Sequence, residues 1–149
     1  MTDAAAPPFA APPAAKKSAR RRRWRSRLRR VLGWLAGAYL LAAFTLTHVD
    51  IPPSAAGGVP HADKLVHAAI FFGLAVLTAG WRVTRFDSPV RARWVALGLC
   101  LLYAAGDELT QLLTATRQAD PLDFLADAVG TLLGLAAFGP LLRWYKRRG

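Results

Sequence analysis

The sequence predicts an all-α, polytopic membrane protein with four transmembrane helices in one bundle and a disordered basic N-terminal arm. The 149-residue chain is 54% hydrophobic and only 19% charged, whereas about 25% charged residues is usual in a soluble domain. Residues 1–30 hold 10 of the 20 Lys and Arg residues. The length fits one domain, and the composition disfavours an ordinary soluble enzyme. With Cys100 as the only cysteine, a disulfide scaffold and a zinc ribbon are excluded.

Four apolar runs define the predicted spans. Residues 31–49 contain no Asp, Glu, Lys or Arg, and a helix of that length rises about 28 Å, close to the ~30 Å hydrocarbon core of a bilayer. The apolar residues show no period of two, which disfavours membrane strands. A helix also satisfies its own backbone hydrogen bonds in lipid. We therefore expect a transmembrane domain over residues 31–142, with spans at about 31–49, 65–81, 93–115 and 122–142, followed by a basic tail at 143–149.

The first run has an alternative interpretation as a secretory signal peptide. A basic region precedes it, and the small residues Ser54, Ala55 and Ala56 follow it. Because the apolar core of a signal peptide usually has about 7–15 residues, and because three further spans follow, we favour a membrane span.

The arm at 1–30 is predicted to be disordered, since its first 15 residues are rich in Ala and Pro. Its cluster of Lys and Arg also suggests a nucleic-acid-binding arm. However, Trp24 is the one aromatic residue in this cluster, so stacking on bases has little support. We expect no nucleic-acid partner and favour a topology signal that contacts anionic lipid.

The distribution of Lys and Arg predicts the orientation. Their counts are 10 in the arm, one after span 1 (Lys64), four after span 2, one after span 3 (Arg117) and four in the tail. Cytoplasmic segments carry the excess of these residues. Both termini are therefore predicted to be cytoplasmic, with Lys64 and Arg117 on the outer side.

Polar residues recur at the outer ends of three spans. Asp63 and His67 lie one helical turn apart at the start of span 2. Helical rise brings His67, Glu108 and Asp127 within about 10 Å of the outer surface. Ionisable groups in spans are costly and usually face the bundle interior, so we predict one shallow pocket on the extracytoplasmic side. The candidate ligand-binding residues are Asp63, Lys64, His67, Glu108, Gln111, Arg117, Asp120, Asp123 and Asp127.

Structural roles compete for several of these residues. Asp120 precedes a proline, as an N-cap does, and Asp63 has the same alternative. Gln111 suits an interhelical hydrogen bond, and Asp107 is expected at the polar rim. Lys64 and Arg117 have an alternative role, in which they neutralise neighbouring acids or contact phospholipid headgroups. Small residues four apart also predict close helix contacts, namely Gly33 with Gly37 and Gly130 with Gly134.

Two motifs resemble a known family. The first, Asp63-Lys64-x-x-His67-x-x-x-Phe71-Phe72-Gly73, resembles the first motif of the VanZ-like family. The second motif of that family resembles a longer stretch of this chain. The stretch consists of Glu108-x-x-Gln111 followed by Arg117, Asp120, Asp123, Asp127, Gly130 and Gly134.

This resemblance implies a small multi-pass protein of the bacterial inner (cytoplasmic) membrane. The chain departs from the family at Asp127, where Asn is common, and it lacks the Pro-Gly often found before the residue equivalent to Arg117. The namesake of the family is associated with low-level resistance to the glycopeptide teicoplanin, and the resemblance implies no mechanism for it.

Three functions are considered. In the first, the pocket binds a lipid-linked, cell-wall or glycopeptide ligand: Lys64 and Arg117 contact phosphate or carboxylate, and the acids contact an amine, a hydroxyl or a bound cation. In the second, an intramembrane enzyme acts on a lipid-linked substrate. Its candidate catalytic residues are His67, Glu108 and Asp127, which supply acid–base chemistry or hold a divalent metal.

The third function, transport, ranks last because four spans are few and no inverted repeat is visible. The sequence has no nucleophile or cofactor motif, so the binding function is favoured over the enzyme, and we expect no cofactor and no metal. Membrane lipids and an envelope ligand are the expected partners, and the sequence makes no prediction of the oligomeric state.

Overall fold

The computed structural model describes residues 13–48, 61–86, 88–113 and 120–148, and these are helical with short turns and no strand. The predicted all-α class is therefore confirmed for the part of the chain that is described. The helices are α1 (Pro13–Thr47), α2 (Ala62–Val83), α3 (Pro89–Gln111) and α4 (Pro121–Arg148).

Three of the helices contain segments that are long and apolar enough to cross a membrane. The polar residues at the C-terminal end of α3, Asp107, Glu108 and Gln111, lower its hydropathy, so its role as the fourth span stays a prediction. The three segments are Arg22–Thr47, Ala62–Val83 and Pro121–Trp144.

The N-terminal arm differs from its prediction. Helix α1 begins at Pro13, so the expectation of disorder up to residue 30 is wrong for residues 13–30. Pro is favoured in the first helical turn, and Ala, Lys and Arg are strong helix formers. The apolar helix therefore continues backwards into the basic sequence. Residues 1–12 lie outside the described residues.

Two of the helices, α3 and α4, begin at residues whose side chains cap them, and α2 does not. Ser88 Oγ accepts a hydrogen bond from the backbone N–H of Arg91 at the start of α3. Asp120 Oδ1 accepts one from the N–H of Leu122 over 2.9 Å at the start of α4, as the capping interpretation predicts. Helix α2 instead follows His61, which has a left-handed backbone with φ 57°, so the alternative that Asp63 caps this helix is wrong.

Helix α2 lies at the centre of the bundle and packs against the other three helices, most extensively against α4. Two glycines of α4 make this contact close. A Cβ atom on Gly130 would overlap the backbone carbonyl of Ala68, and one on Gly134 would overlap that of Phe72. The predicted close contact at this pair is therefore confirmed.

The corresponding prediction for α1 holds for one glycine only. Gly33 lies against the side chain of Trp81, but nothing lies within 4 Å of the Cβ position of Gly37. Gly37 therefore makes no close helix contact among the described residues.

Large apolar side chains cover the outside of the bundle. Trp34 is 80% exposed, Leu102 72% and Leu113 85%. So much apolar surface is unusual on a soluble monomer and fits helices that face lipid.

Candidate functional site

The buried faces of the helices change from apolar to polar at one end of the bundle. On α3 the buried residues Ala92, Ala96, Cys100 and Ala104 are followed by Asp107, Glu108 and Gln111. The same end contains the start of α2, the start of α4 and the end of α1. This polar end is built from the buried polar residues Thr47, His67, Asp107, Glu108, Gln111, Asp123 and Asp127.

A histidine–aspartate pair joins α2 to α4 at the polar end. Nδ1 of His67 donates a hydrogen bond to Oδ1 of Asp127 over 3.0 Å. Their side chains are 3% and 0% exposed, so the pair is shielded from solvent. The neighbouring glycine contact, one turn along α4 at Gly130, brings the two helices close enough for this bond. Nε2 of His67 and Oδ2 of Asp127 have no hydrogen-bond partner among the described residues.

Lys64 forms a second group with the acids around it. Its Nζ donates to Asp120 Oδ2 over 2.6 Å and to Asp123 Oδ1 over 2.8 Å. A longer contact of 3.4 Å joins it to Asp63, which is 46% exposed. The positive charge of Lys64 is therefore already balanced by carboxylates of this chain.

The hydrogen bond from Lys64 also has an electrostatic effect on Asp120. It holds the pKa of the Asp120 carboxyl below its ordinary value of 3.8, and the hydrogen bond from the N–H of Leu122 acts in the same direction. Both favour the ionised carboxylate. Asp120 thus serves both as helix cap and as partner of Lys64, and the two interpretations from the sequence do not exclude each other.

Glu108 connects α3 to the start of α4. Its Oε2 accepts a hydrogen bond from the backbone N–H of Asp120 over 3.0 Å, while Oε1 is buried with no hydrogen-bond partner among the described residues. One ligand atom each of His67, Glu108 and Asp127 lie within 4.8 Å of one another. These three residues therefore lie close together, as expected from the sequence.

A separate buried network surrounds Asp107. Its Oδ1 accepts from Thr47 Oγ1 over 3.1 Å, and its Oδ2 accepts from Gln111 Nε2 over 3.3 Å. Asp107 is 1% exposed, so the expectation that it lies at the polar rim is wrong. Gln111 belongs to the same network, because its Nε2 also donates a hydrogen bond to the backbone carbonyl of Thr47. This bond joins α3 to α1 and is the interhelical role that the sequence left open.

Helix α1 also contributes to the polar end, which was not predicted from the sequence. Thr47 and His48 lie at the end of this helix, and His48 Nε2 is 3.1 Å from Thr110 Oγ1. The signal was available, because these are polar residues at the outer end of the first apolar run. Arg117, a predicted site residue, lies outside the described residues.

The chemistry of this polar end is that of an acceptor-rich, acidic site. Asp63, Asp107, Glu108, Asp120, Asp123 and Asp127 bring six acids, and Lys64 is the one Lys or Arg that forms an ion pair with them among the described residues. The unpartnered atoms belong to two carboxylates and an imidazole, and the imidazole donates through its other nitrogen. Such atoms bind hydrogen-bond donors and cations.

Comparison with known proteins gives one finding. A family model described as VanZ/LLP1 matches residues 14–143, which is most of the chain and covers α2 and α3 completely and most of α1 and α4. No curated protein and no solved structure matches the sequence.

Proposed function

Because the chain belongs to the VanZ/LLP1 family, we propose that it is a four-span protein of the bacterial inner membrane that binds an envelope ligand at its polar end. Both termini lie in the cytoplasm in this proposal, and the polar end faces the extracytoplasmic side. The alternation of Lys and Arg along the chain supports the orientation. The ligand is a lipid-linked molecule, a cell-wall precursor or a glycopeptide.

One observation carries the proposal. The buried polar atoms Nε2 of His67, Oε1 of Glu108 and Oδ2 of Asp127 have no hydrogen-bond partner among the described residues. Leaving a buried polar atom unpaired costs about 1–3 kcal/mol, and such atoms are tolerated where a ligand supplies the missing partner. Donors or positive charge from a ligand would satisfy all three atoms.

The contacts of Lys64 narrow the predicted binding mode. From the sequence, Lys64 was expected either to contact a phosphate or carboxylate of the ligand or to neutralise neighbouring acids. Its Nζ is instead within 2.8 Å of both Asp120 Oδ2 and Asp123 Oδ1, so an anionic ligand would have to displace these acids. In this proposal the ligand therefore contacts the acids through an amine, a hydroxyl or a bound cation.

Binding to purified protein in nanodiscs tests this function. The probes are a lipid-linked cell-wall precursor and teicoplanin, and native mass spectrometry measures the fraction of protein bound. We expect saturable binding of one probe to the wild type and weaker binding to Glu108→Gln. Asp87→Asn is the control, since it changes an acid that the sequence places between α2 and α3 and that is not part of the polar end. No binding of either probe, or equal binding by Glu108→Gln, would refute the proposal.

Teicoplanin susceptibility tests the link to resistance. Expression of the wild type in a susceptible bacterial strain is expected to raise the inhibitory concentration slightly, and expression of Glu108→Gln is not. An unchanged inhibitory concentration with the wild type would remove resistance from the proposal and leave ligand binding to the assay above.

A second candidate function, an intramembrane enzyme acting on a lipid-linked substrate, is favoured by the His67–Asp127 hydrogen bond. An aspartate that holds one ring nitrogen orients the other nitrogen of the histidine to exchange a proton with a substrate. Turnover of the lipid-linked precursor by the wild type and by His48→Gln, but not by His67→Gln, would support the enzyme. Binding without turnover would exclude it for that substrate.

A further inference from the structure

We infer that His67, Glu108 and Asp127 form a binding site for one divalent transition-metal ion of the Mn²⁺ to Zn²⁺ series. The inference deepens the proposed function and rests on it, because the ion would be the positively charged part of the site that meets the envelope ligand. It departs from the sequence expectation that no metal is bound.

The three residues converge from three helices. His67 comes from α2, Glu108 from α3 and Asp127 from α4, and one ligand atom of each lies within 4.8 Å of the others. Each is at least nine-tenths buried, with 2%, 9% and 0% of its surface exposed. A site shared by three packed helices holds its ligands in place without help from a loop.

The His67–Asp127 geometry fits coordination. Two ligands on neighbouring corners of an octahedron with metal bonds of about 2.1 Å are about 3.0 Å apart. Nδ1 of His67 and Oδ1 of Asp127 are separated by 3.0 Å, so the spacing suits two ligands of one ion. The ion would replace the hydrogen bond between them, and the imidazole ring would rotate so that Nδ1 points at the ion. The carboxylate of Glu108, whose Oε1 has no hydrogen-bond partner among the described residues, would provide the third ligand.

The protons balance in this arrangement. When an ion binds Nδ1, the ring proton of neutral His67 moves to Nε2. Oδ2 of Asp123 lies 3.9 Å from Nε2, and rotation of the ring would bring this carboxylate within hydrogen-bond distance. Metal-binding histidines usually donate their second N–H to a carboxylate or a carbonyl. Lys64 fixes the other oxygen of Asp123 over 2.8 Å and so holds this acceptor in position.

Charge gives an independent reason for a cation. Within the described residues no Lys or Arg forms an ion pair with Glu108 or Asp127, because Lys64 pairs with Asp120, Asp123 and Asp63. In that part of the chain, Asp127 has a positive partner only when His67 is protonated, and buried carboxylates without a positive partner are costly. A dication would compensate both charges. It would also allow a phosphate or carboxylate of a ligand to approach an otherwise acidic site.

The ligand set indicates which ions fit. Imidazole suits Zn²⁺ and its transition-metal neighbours, and carboxylates suit Mn²⁺ and other hard ions. A site with one nitrogen and two carboxylates is therefore expected to take an ion of this series. Three protein ligands leave further coordination positions for water or for an oxygen of the envelope ligand.

Metal titration tests the inference. Purified protein in nanodiscs is stripped with a chelator and titrated with Zn²⁺ or Mn²⁺, and the bound metal is counted after equilibrium dialysis. We expect one ion per wild-type chain and an affinity lowered by about 100-fold or more in Asp127→Asn and Glu108→Gln. Asp87→Asn, an acid that the sequence places between α2 and α3, should bind like the wild type. Absence of stoichiometric binding, or equal binding by Asp127→Asn and Glu108→Gln, would overturn the inference.

A spectroscopic measurement keeps the test valid if a variant fails to fold. Pulsed EPR of Mn²⁺ bound to the wild type should show modulation from a coordinated imidazole nitrogen. The chain has three histidines, so His48→Gln and His61→Gln should retain this signal and His67→Gln should lose it. Bound Mn²⁺ without a nitrogen signal in the wild type would contradict the proposed ligand set.

The two proposals fail differently. Binding of the lipid-linked precursor or teicoplanin by chelator-stripped protein that takes up no metal would overturn the inference and leave the proposed function standing. Stoichiometric metal binding with no affinity for either probe would overturn the proposed function and support the metal site alone.

Discussion

Replacing Gly130 by alanine should separate α2 from α4 and disturb the polar end. The added Cβ would overlap the backbone carbonyl of Ala68, and non-bonded carbon and oxygen atoms need roughly 3.5 Å. The helices must therefore move apart by on the order of 1 Å. A backbone cannot rotate away as a flexible side chain can, so we expect a loss of about 1–3 kcal/mol in the free energy of unfolding.

The same displacement acts on the site. His67 and Asp127 are joined over 3.0 Å, one turn from Gly130, and a shift of about 1 Å would stretch this contact beyond hydrogen-bond distance. Metal affinity should therefore fall together with stability in Gly130→Ala.

Thermal unfolding in detergent, followed by circular dichroism, measures the effect. The matched control is Gly98→Ala on α3, because nothing lies within 4 Å of the Cβ position there. In the control, alanine should leave stability unchanged or raise it by up to about 1 kcal/mol through its helix propensity. A melting temperature of Gly130→Ala equal to that of Gly98→Ala would refute the close packing of α2 against α4.

Two further predictions concern the polar contacts. Asp120→Asn keeps a good helix cap but loses the charge that pairs with Lys64. The pKa of Asp120 is lowered in the folded protein. The ion pair therefore stabilises the fold above about pH 4, and this contribution is lost as the pH falls through the folded pKa. The difference in melting temperature between wild type and Asp120→Asn should therefore be largest near neutral pH and shrink below pH ~4, and a difference independent of pH would contradict the pairing. Thr47→Val removes the donor to the buried carboxylate of Asp107 and should cost about 1–3 kcal/mol in the free energy of unfolding, whereas Thr45→Val, at an exposed hydroxyl, should cost much less. Equal melting temperatures of these two variants would show that the contact of Thr47 contributes nothing.

The sequence predicted the helices well where one physical signal dominates. Long apolar runs predicted the central parts of α1, α2 and α4, because a helix is one of the few structures that satisfy their backbone hydrogen bonds within a bilayer. The spacing of Asp120, Asp123 and Asp127 placed Asp123 and Asp127 on the buried face of α4, because a helix brings residues three and four apart to one side. The capping role of Asp120 followed from the proline after it.

Other features depend on contacts that a linear pattern does not contain. The helical start at Pro13 was missed because the Ala- and Pro-rich composition of the arm outweighed the helix propensity of its Lys and Arg. The burial of Asp107 depends on Thr47, which is 60 residues away. The sequence left open whether Lys64 neutralises neighbouring acids or contacts a ligand. Its pairing with Asp120 and Asp123 leaves Glu108 and Asp127 without a Lys or Arg partner among the described residues.

The side of the membrane on which the polar end lies is tested most directly by thiol labelling of intact cells. In a Cys100→Ala background, which removes the only cysteine, single cysteines replace Leu113 at the polar end of α3 or Ser88 at its opposite end. A membrane-impermeant maleimide should label Leu113→Cys in intact cells, and Ser88→Cys only after the membrane is permeabilised. Labelling of Ser88→Cys in intact cells, with Leu113→Cys protected, would contradict a polar end that opens on the extracytoplasmic side.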